Sequence, residues 1–284
     1  MRLAGPGSFA PKAERTVGMD TKRAVTFGTA VILVLSALTS SCRRDRNADG
    51  QNSLTNAEKK AGFVLLFNGR DLKGWQGLGL RGIPKGHWLV EGDTIKNVPN
   101  QDVPRGQGGK PTRNFDLMTV GTFEDFELSF EWKIAPRGNS GVKYNVSEKM
   151  SADQAEAKNT AIGFEYQVLD DALNPDARVG PHRSAAALYD ILSVTGSVSK
   201  PAGEFNAARI LFRARHGEHW LNGVKVLEFD LDTPEFAARL AAGKFKEIPG
   251  FADKRKGHIV LQDHGDAVWF RNIKVREFGP GRKN

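Results

Sequence analysis

The chain has 284 residues, 39% hydrophobic and 26% charged, which is close to an ordinary soluble globular protein, and its 31 glycines and 13 prolines call for many turns and argue against an α-rich fold. The formal charge of +8 would suit a nucleic-acid binder if it were spread over the folded part, but residues 1–62 hold ten basic and five acidic residues and account for +5 of it. No basic run is interleaved with aromatics, so nucleic acid is set aside as a partner. The lone Cys42 excludes an intrachain disulfide and any multi-cysteine zinc site.

Lys22 and Arg23 precede the apolar run from Ala24 to Leu38. At about 15 residues this run is too short to span a bilayer and suits the core of an export signal, with Met19 as the true start. Thr39-Ser40-Ser41 then lead to Cys42, resembling a bacterial lipobox in which the cysteine is lipidated, although Leu38 lies one place further from the cysteine than that pattern prefers. Residues 1–42 are therefore expected to be the leader of an exported bacterial protein, lipid-anchored through Cys42 at the periplasmic or outer surface. Residues 43–62 are polar and poor in β-branched and aromatic side chains, and are expected to form a flexible tether. The folded part is expected over 63–278, with a short tail at 279–284.

The folded part opens with Phe63-Val-Leu-Leu-Phe67 and the Asn68-Gly69 turn, followed by Trp75 and Trp88. Its clearest strand runs from Phe126 to Ile134, where Phe126, Leu128, Phe130, Trp132 and Ile134 alternate with Glu127, Ser129, Glu131 and Lys133. A meander is expected over 208–229, turning at His216-Gly217 and again at Asn222-Gly223, where both residues tolerate the positive φ of a type I′ turn. Trp132 on the strand from Phe126 to Ile134 and Trp220 in the meander are read as core positions, and His219 as structural. One short helix is expected over 234–242, with Thr233 as its cap, Pro234 in its first turn and Gly243 at its end. The last strands cover 257–262 and 267–276. This spacing predicts an all-β fold: two stacked antiparallel sheets forming a jelly-roll sandwich with one short helix.

Three segments place polar side chains on or beside strands that otherwise read as core: Gly138-Asn-Ser-Gly141, Gly163-Phe-Glu-Tyr-Gln-Val-Leu-Asp-Asp171 and Leu261-Gln-Asp-His-Gly-Asp266. Together they suggest a cleft lined by a sheet. The acidic loop from Asp170 to Asp176 is also a candidate hard-cation site, with Asp170, Asp171 and Asp176 as oxygen ligands and calcium preferred over zinc. Its Asn-Pro-Asp run is equally ordinary turn chemistry. Phosphate-cradling glycine motifs, a nucleophile elbow and a Cys-His pair are absent.

These segments, with Leu66-Phe-Asn-Gly-Arg-Asp-Leu-Lys-Gly-Trp75, Glu218-His-Trp-Leu-Asn-Gly223 and Trp269-Phe-Arg-Asn-Ile273, occur in an order that resembles the 3-keto-disaccharide hydrolase domain family. The resemblance covers roughly residues 63–278 and implies a concanavalin A-like jelly roll. It also implies cleavage of 3-keto glycosides. The C3 carbonyl acidifies the hydrogen at C2, a base removes it, the enolate expels the C1 substituent, and water then adds. Such chemistry needs a base, a donor or cation for the enolate oxygen, and an acid for the leaving oxygen.

His264, among Asp263, Gly265 and Asp266 at a strand end, is the first candidate for base or acid. Glu165 is the second, with Gln167 on the same strand face, and Lys143 is the candidate cation for the enolate. Asn139, Ser140, Gln167, Asp170, Arg183 and Tyr189 are candidate substrate contacts. The alternatives in other classes are a non-catalytic, surface-tethered carbohydrate-binding module using the same cleft, and a scaffold domain whose cleft serves a protein partner.

Overall fold

The computed structural model describes residues 50–105, 114–153, 160–196 and 198–279. The expected leader, Cys42 and the first part of the expected tether lie outside the described residues, as do residues 280–284 of the tail.

Thirteen strands are described, named in chain order. They are β1 (Val64–Leu65), β2 (Trp75–Gly77), β3 (Trp88–Glu91), β4 (Thr94–Asn97), β5 (Leu117–Thr119), β6 (Phe126–Ile134), β7 (Asn139–Val146), β8 (Phe164–Leu169), β9 (Asn206–Arg213), β10 (His216–Leu221), β11 (Val224–Asp230), β12 (His258–Leu261) and β13 (Val268–Glu277). The larger sheet runs β11-β10-β9-β6-β13-β4-β3, with β1 also pairing β13, and the smaller runs β2-β5-β12-β7-β8. Every pairing is antiparallel, and the two sheets form the expected jelly-roll sandwich.

Period two explains the core. On β6 the predicted apolar set, Phe126 to Ile134, is buried, and it meets Val142 and Tyr144 of β7 and Phe164, Tyr166 and Val168 of β8 in one apolar cluster. Rings interlock edge to face, as in Phe130 with Tyr166 at 5.5 Å and Tyr144 with Phe212 at 5.5 Å. Each such pair adds roughly 0.5–1.5 kcal/mol beyond burial of its area. Because alternate residues of β7 and β8 feed this core, the residues between them, Lys143, Glu165 and Gln167, must face the other side of the small sheet.

The free edge of β8 is covered. Residues 184–190 pair with it through a bridge between Tyr166 and Leu188, with bonds from Ala186 N to Gln167 O (2.8 Å) and from Tyr189 N to Glu165 O (3.0 Å). This segment shields the outward residues of β8 and sets Tyr189 beside Glu165.

Four expectations need correction. Besides the predicted helix, α3 (Pro234–Ala242), two shorter ones occur: α1 (Asn56–Lys60) and α2 (Glu148–Asp153). α1 starts with a reciprocal cap in which Thr55 Oγ1 accepts from Glu58 N and Glu58 Oε2 accepts from Thr55 N.

The described part of the expected tether, residues 50–62, is docked rather than free. Asn52 is buried and exchanges hydrogen bonds with Asn272 in both directions (2.6 and 2.8 Å), and Glu58 pairs with Lys274. Apolar content cannot reveal a segment held by polar groups.

The β9–β10 turn falls at Ala214 and Arg215, before the expected His216-Gly217. Gly217 lies within β10, at a place where a Cβ would overlap the Phe229 ring. Finally, Trp220 faces outward, under Arg209 (4.1 Å to the ring centroid) and bonded to Glu218, and His219 takes the core position. The Asn222-Gly223 turn, with φ of 50° and 84°, is as expected.

Candidate functional site

The outer face of the small sheet carries a row of ionic and polar side chains. In the β7–β8 register Lys143 stands opposite Glu165, and Gly141 opposite Gln167. Lys143 Nζ lies 3.7 Å from Glu165 Oε2 and 3.8 Å from Asp116 Oδ2, and donates to Ala161 O at 3.0 Å. All three side chains are buried: Lys143 is 3% exposed, Glu165 5% and Asp116 1%. Gly141 makes room for this arrangement, since a Cβ there would meet the Glu165 carboxyl group. Gln167 turns its amide nitrogen toward Ser140 O (2.9 Å) and Glu165 Oε1 (3.2 Å). This orientation pairs donors with acceptors and is preferred to one in which the nitrogen meets only Asn139 Oδ1 at 3.3 Å.

Asp116 sits just before β5, and its carboxylate accepts from the N–H groups of Ala161 (2.7 Å) and Asp263 (3.0 Å). Burial pushes its carboxyl pKa up, and Lys143 and the two N–H groups oppose the rise. Behind it, Asp263 accepts from His87 Nδ1 (2.9 Å), Phe115 N (2.9 Å) and Gly265 N (3.0 Å). Because the carboxylate only accepts, the His87 proton is on Nδ1.

On the other side of Glu165 the row continues into Tyr189. Its hydroxyl donates to Asp176 Oδ2 (3.0 Å), and burial first, then Asp176, raises the phenol pKa, so the group is a proton-bearing donor at neutral pH. Arg183 bridges Asp176 (2.7 Å) and Asp190 (2.7 Å) and thereby fixes the loop that carries Tyr189. Burial would raise the Asp190 carboxyl, but the Lys244 N–H and Arg183 outweigh it and hold it below its ordinary value. Lys244, following α3, places its ammonium 4.0 Å from the centre of the Tyr189 ring. Burial depresses its pKa, Glu165 opposes that effect and Lys143 adds to it.

The predicted candidates therefore divide. Lys143, Glu165, Gln167 and Tyr189 come together, with Arg183 behind them and Asn139 at the end of β7. Ser140 is instead fully buried and donates to Gln262 O (2.8 Å). His264 is exposed, without a hydrogen bond or ion pair among the described residues, and its acidic neighbours are engaged elsewhere. Asp263 holds His87, and Asp266 accepts from Asn139 N (3.0 Å).

The acidic loop does not fit the calcium cage read from the sequence. Asp170 accepts from Arg137 N (2.7 Å) and Ala172 N (3.2 Å), Asp171 from Ala185 N (2.8 Å) and Ser199 Oγ (3.0 Å), and Asp176 from Arg183 and Tyr189. Three carboxylates directed at different donors do not converge on one cation. Among the described residues one set does converge, His216, Glu218 and Glu228 on the β10–β11 hairpin, and there Lys225 already pairs with both glutamates.

The family model of the 3-keto-alpha-glucoside-1,2-lyase-like domain matches residues 62–276. The chain belongs to this family. A 3-keto-disaccharide hydrolase of Bacteroides thetaiotaomicron is 34% identical over 235 residues, covering 76% of this chain and 78% of the relative. A crystal structure of a candidate glycosyl hydrolase from Parabacteroides distasonis is 30% identical and superposes with a TM-score of 0.68, covering 80% of this chain and 99% of that one. A second from the same organism is 26% identical with a TM-score of 0.55, covering 76% of this chain and 99% of that one.

Within this member of the family, the sequence reading missed Asp116, His87, Asp190 and Lys244. Asp116 had a signal: an acid alternating with Met118 at the start of an apolar strand. Lys244 had none, because only the docking of α3 against residues 184–190 brings it to the row.

Proposed function

We propose that the protein is an exported, lipid-anchored enzyme that cleaves 3-keto glycosides by proton abstraction, elimination and hydration. Family membership and the named relatives support an enzyme acting on glycosides. The observation that carries the finer reading is the buried Glu165 carboxylate, held by Lys143 and Gln167 on the face of a sheet.

In this reading Glu165 takes the C2 proton and the electron pair forms the enolate of the C3 ketone. The enolate expels the C1 substituent as the C1–O bond breaks, and the exposed His264 supplies a proton to the departing oxygen. Water then adds across C1 and C2, returning hydrogen to C2 and leaving hydroxyl on C1, so that one glycosidic bond is hydrolysed with no net redox change. Lys143, sealed between two carboxylates, positions Glu165. Asn139 and Tyr189 are read as the contacts to sugar hydroxyls, while Gln167, fully buried, holds the Glu165 carboxyl group. This chemistry differs from that of glycosidases built on two carboxylates about the anomeric centre.

The test is release of the second sugar from a 3-keto disaccharide and from its unoxidised parent, by wild type and by His264→Ala. Release from the keto form alone, reduced by about 10²-fold or more in the variant, agrees with the proposal. Binding to either sugar without release would point to the carbohydrate-binding module instead.

A further inference from the structure

We infer that Lys244, rather than Lys143, is the cation that holds the developing enolate oxygen. This inference rests on the function proposed above and assigns one of its three required groups.

Lys143 is the obvious lysine in the sequence and is badly placed for the task. It is 3% exposed, one of its protons is donated to Ala161 O, and its remaining charge is shared between Asp116 and Glu165. A substrate oxygen reaching it would have to displace one of these partners within the sheet. An ammonium so engaged offers a ground-state ion pair, not a donor waiting for charge that forms during the reaction.

Lys244 has the opposite character. Its main chain is anchored: its N–H donates to Asp190 Oδ2 at 3.0 Å, and α3 ends in Gly243, whose missing Cβ would stand 3.0 Å from Asp190 O. The same Asp190 holds Arg183, so the end of α3 and the Tyr189 loop are fastened to a common carboxylate. From this anchor the side chain runs over Tyr189 and puts its ammonium on the ring face at 4.0 Å, with Phe245 at 4.9 Å. Aromatic faces attract a cation without accepting conventional hydrogen bonds. Among the described residues no oxygen accepts from Lys244 Nζ, and the residue is exposed although its ammonium is partly screened from water where it lies over the rings. The result is a cation fixed in place with its protons uncommitted.

The placement also suits the bond order of the reaction. The hydrogen removed and the oxygen that gains charge are on adjacent carbons, so base and cation must flank one edge of the sugar ring. Glu165 and Tyr189 are cross-strand neighbours, Lys244 lies on the Tyr189 ring, and the Glu165 charge acts on its ammonium.

The experiment is steady-state kinetics of Lys244→Met and Lys244→Arg on a 3-keto disaccharide, with thermal melting of each. Lys244→Met should melt with wild type, because the structural tie is the main-chain N–H. It should lose about 10²- to 10³-fold in kcat, with KM changed by less than about threefold, and Lys244→Arg should recover at least about tenfold. Wild-type turnover with Lys244→Met within about threefold of it, or with only KM raised, overturns the role of Lys244 and leaves the proposed function standing. Failure of wild type to act on the keto sugar overturns both.

Discussion

Lys143 and Glu165 face each other across the β7–β8 pair at 3.7 Å, both largely buried, with Glu165 keeping 5% of its surface open. Ions taken out of water are tolerated only with partners, and Asp116 completes the set.

Removing the cation alone should therefore be costly. Lys143→Met leaves two buried carboxylates without their shared cation and is expected to lower unfolding free energy by roughly 3–5 kcal/mol. Lys143→Met with Asp116→Asn should recover part of that loss, since one of the two stranded charges is gone. Denaturant titration of the single and double variants measures both effects.

Gly141→Ala probes the geometry instead of the charge. The added methyl group competes for the space of the Glu165 carboxyl group, which must rotate away from Lys143. Turnover of a 3-keto disaccharide should fall by at least about tenfold through kcat, because a displacement of about 1 Å at a reacting group can cost 10²-fold. Melting should move far less than in Lys143→Met.

His219 supplies a pH prediction. It is fully buried, its Nδ1 donates to Ala186 O (2.8 Å) and its Nε2 accepts from the Tyr144 hydroxyl (2.9 Å), so it is neutral in the fold. Burial lowers its pKa from 6.5 to about 4. The unfolded chain then binds the proton more readily between these values, so stability is complete above about pH 6.5 and falls as pH drops toward 4, by on the order of 3 kcal/mol in all. In His219→Gln this part of the pH dependence should vanish, which unfolding curves between pH 4 and 7 will show.

Much of this architecture can be read from the chain because local and global signals agree. The alternation of Phe126 to Ile134, the turn at Asn222-Gly223 and the Thr233 cap each dictate one structure, and each is found. Glu165 and Gln167 stand out because they break the apolar pattern of a strand that is otherwise core.

The failures are also physical. Apolar alternation would place Trp220 inside, but a histidine satisfied by Tyr144 and Ala186 takes that phase and leaves the indole to Arg209 and Glu218. Residues 50–62 dock through the Asn52–Asn272 exchange, which carries no hydropathy signal. The aspartates of the 170–176 loop look like cation ligands in sequence, yet the turn uses them as acceptors for its own N–H groups, Arg183 and Tyr189. Lys244 lies in irregular chain beyond α3, and only the packing of that helix end on Asp190 makes it part of the row.

The most direct test of the account is hydrogen exchange at C2 of a 3-keto glycoside in deuterated water, followed by NMR for wild type and Glu165→Gln. Exchange reports removal of the hydrogen beside the carbonyl whether or not the glycosidic bond then breaks. The account predicts rapid deuterium incorporation with wild type and a loss of about 10²-fold or more in Glu165→Gln. Equal exchange in both would contradict the assignment of Glu165 as the base.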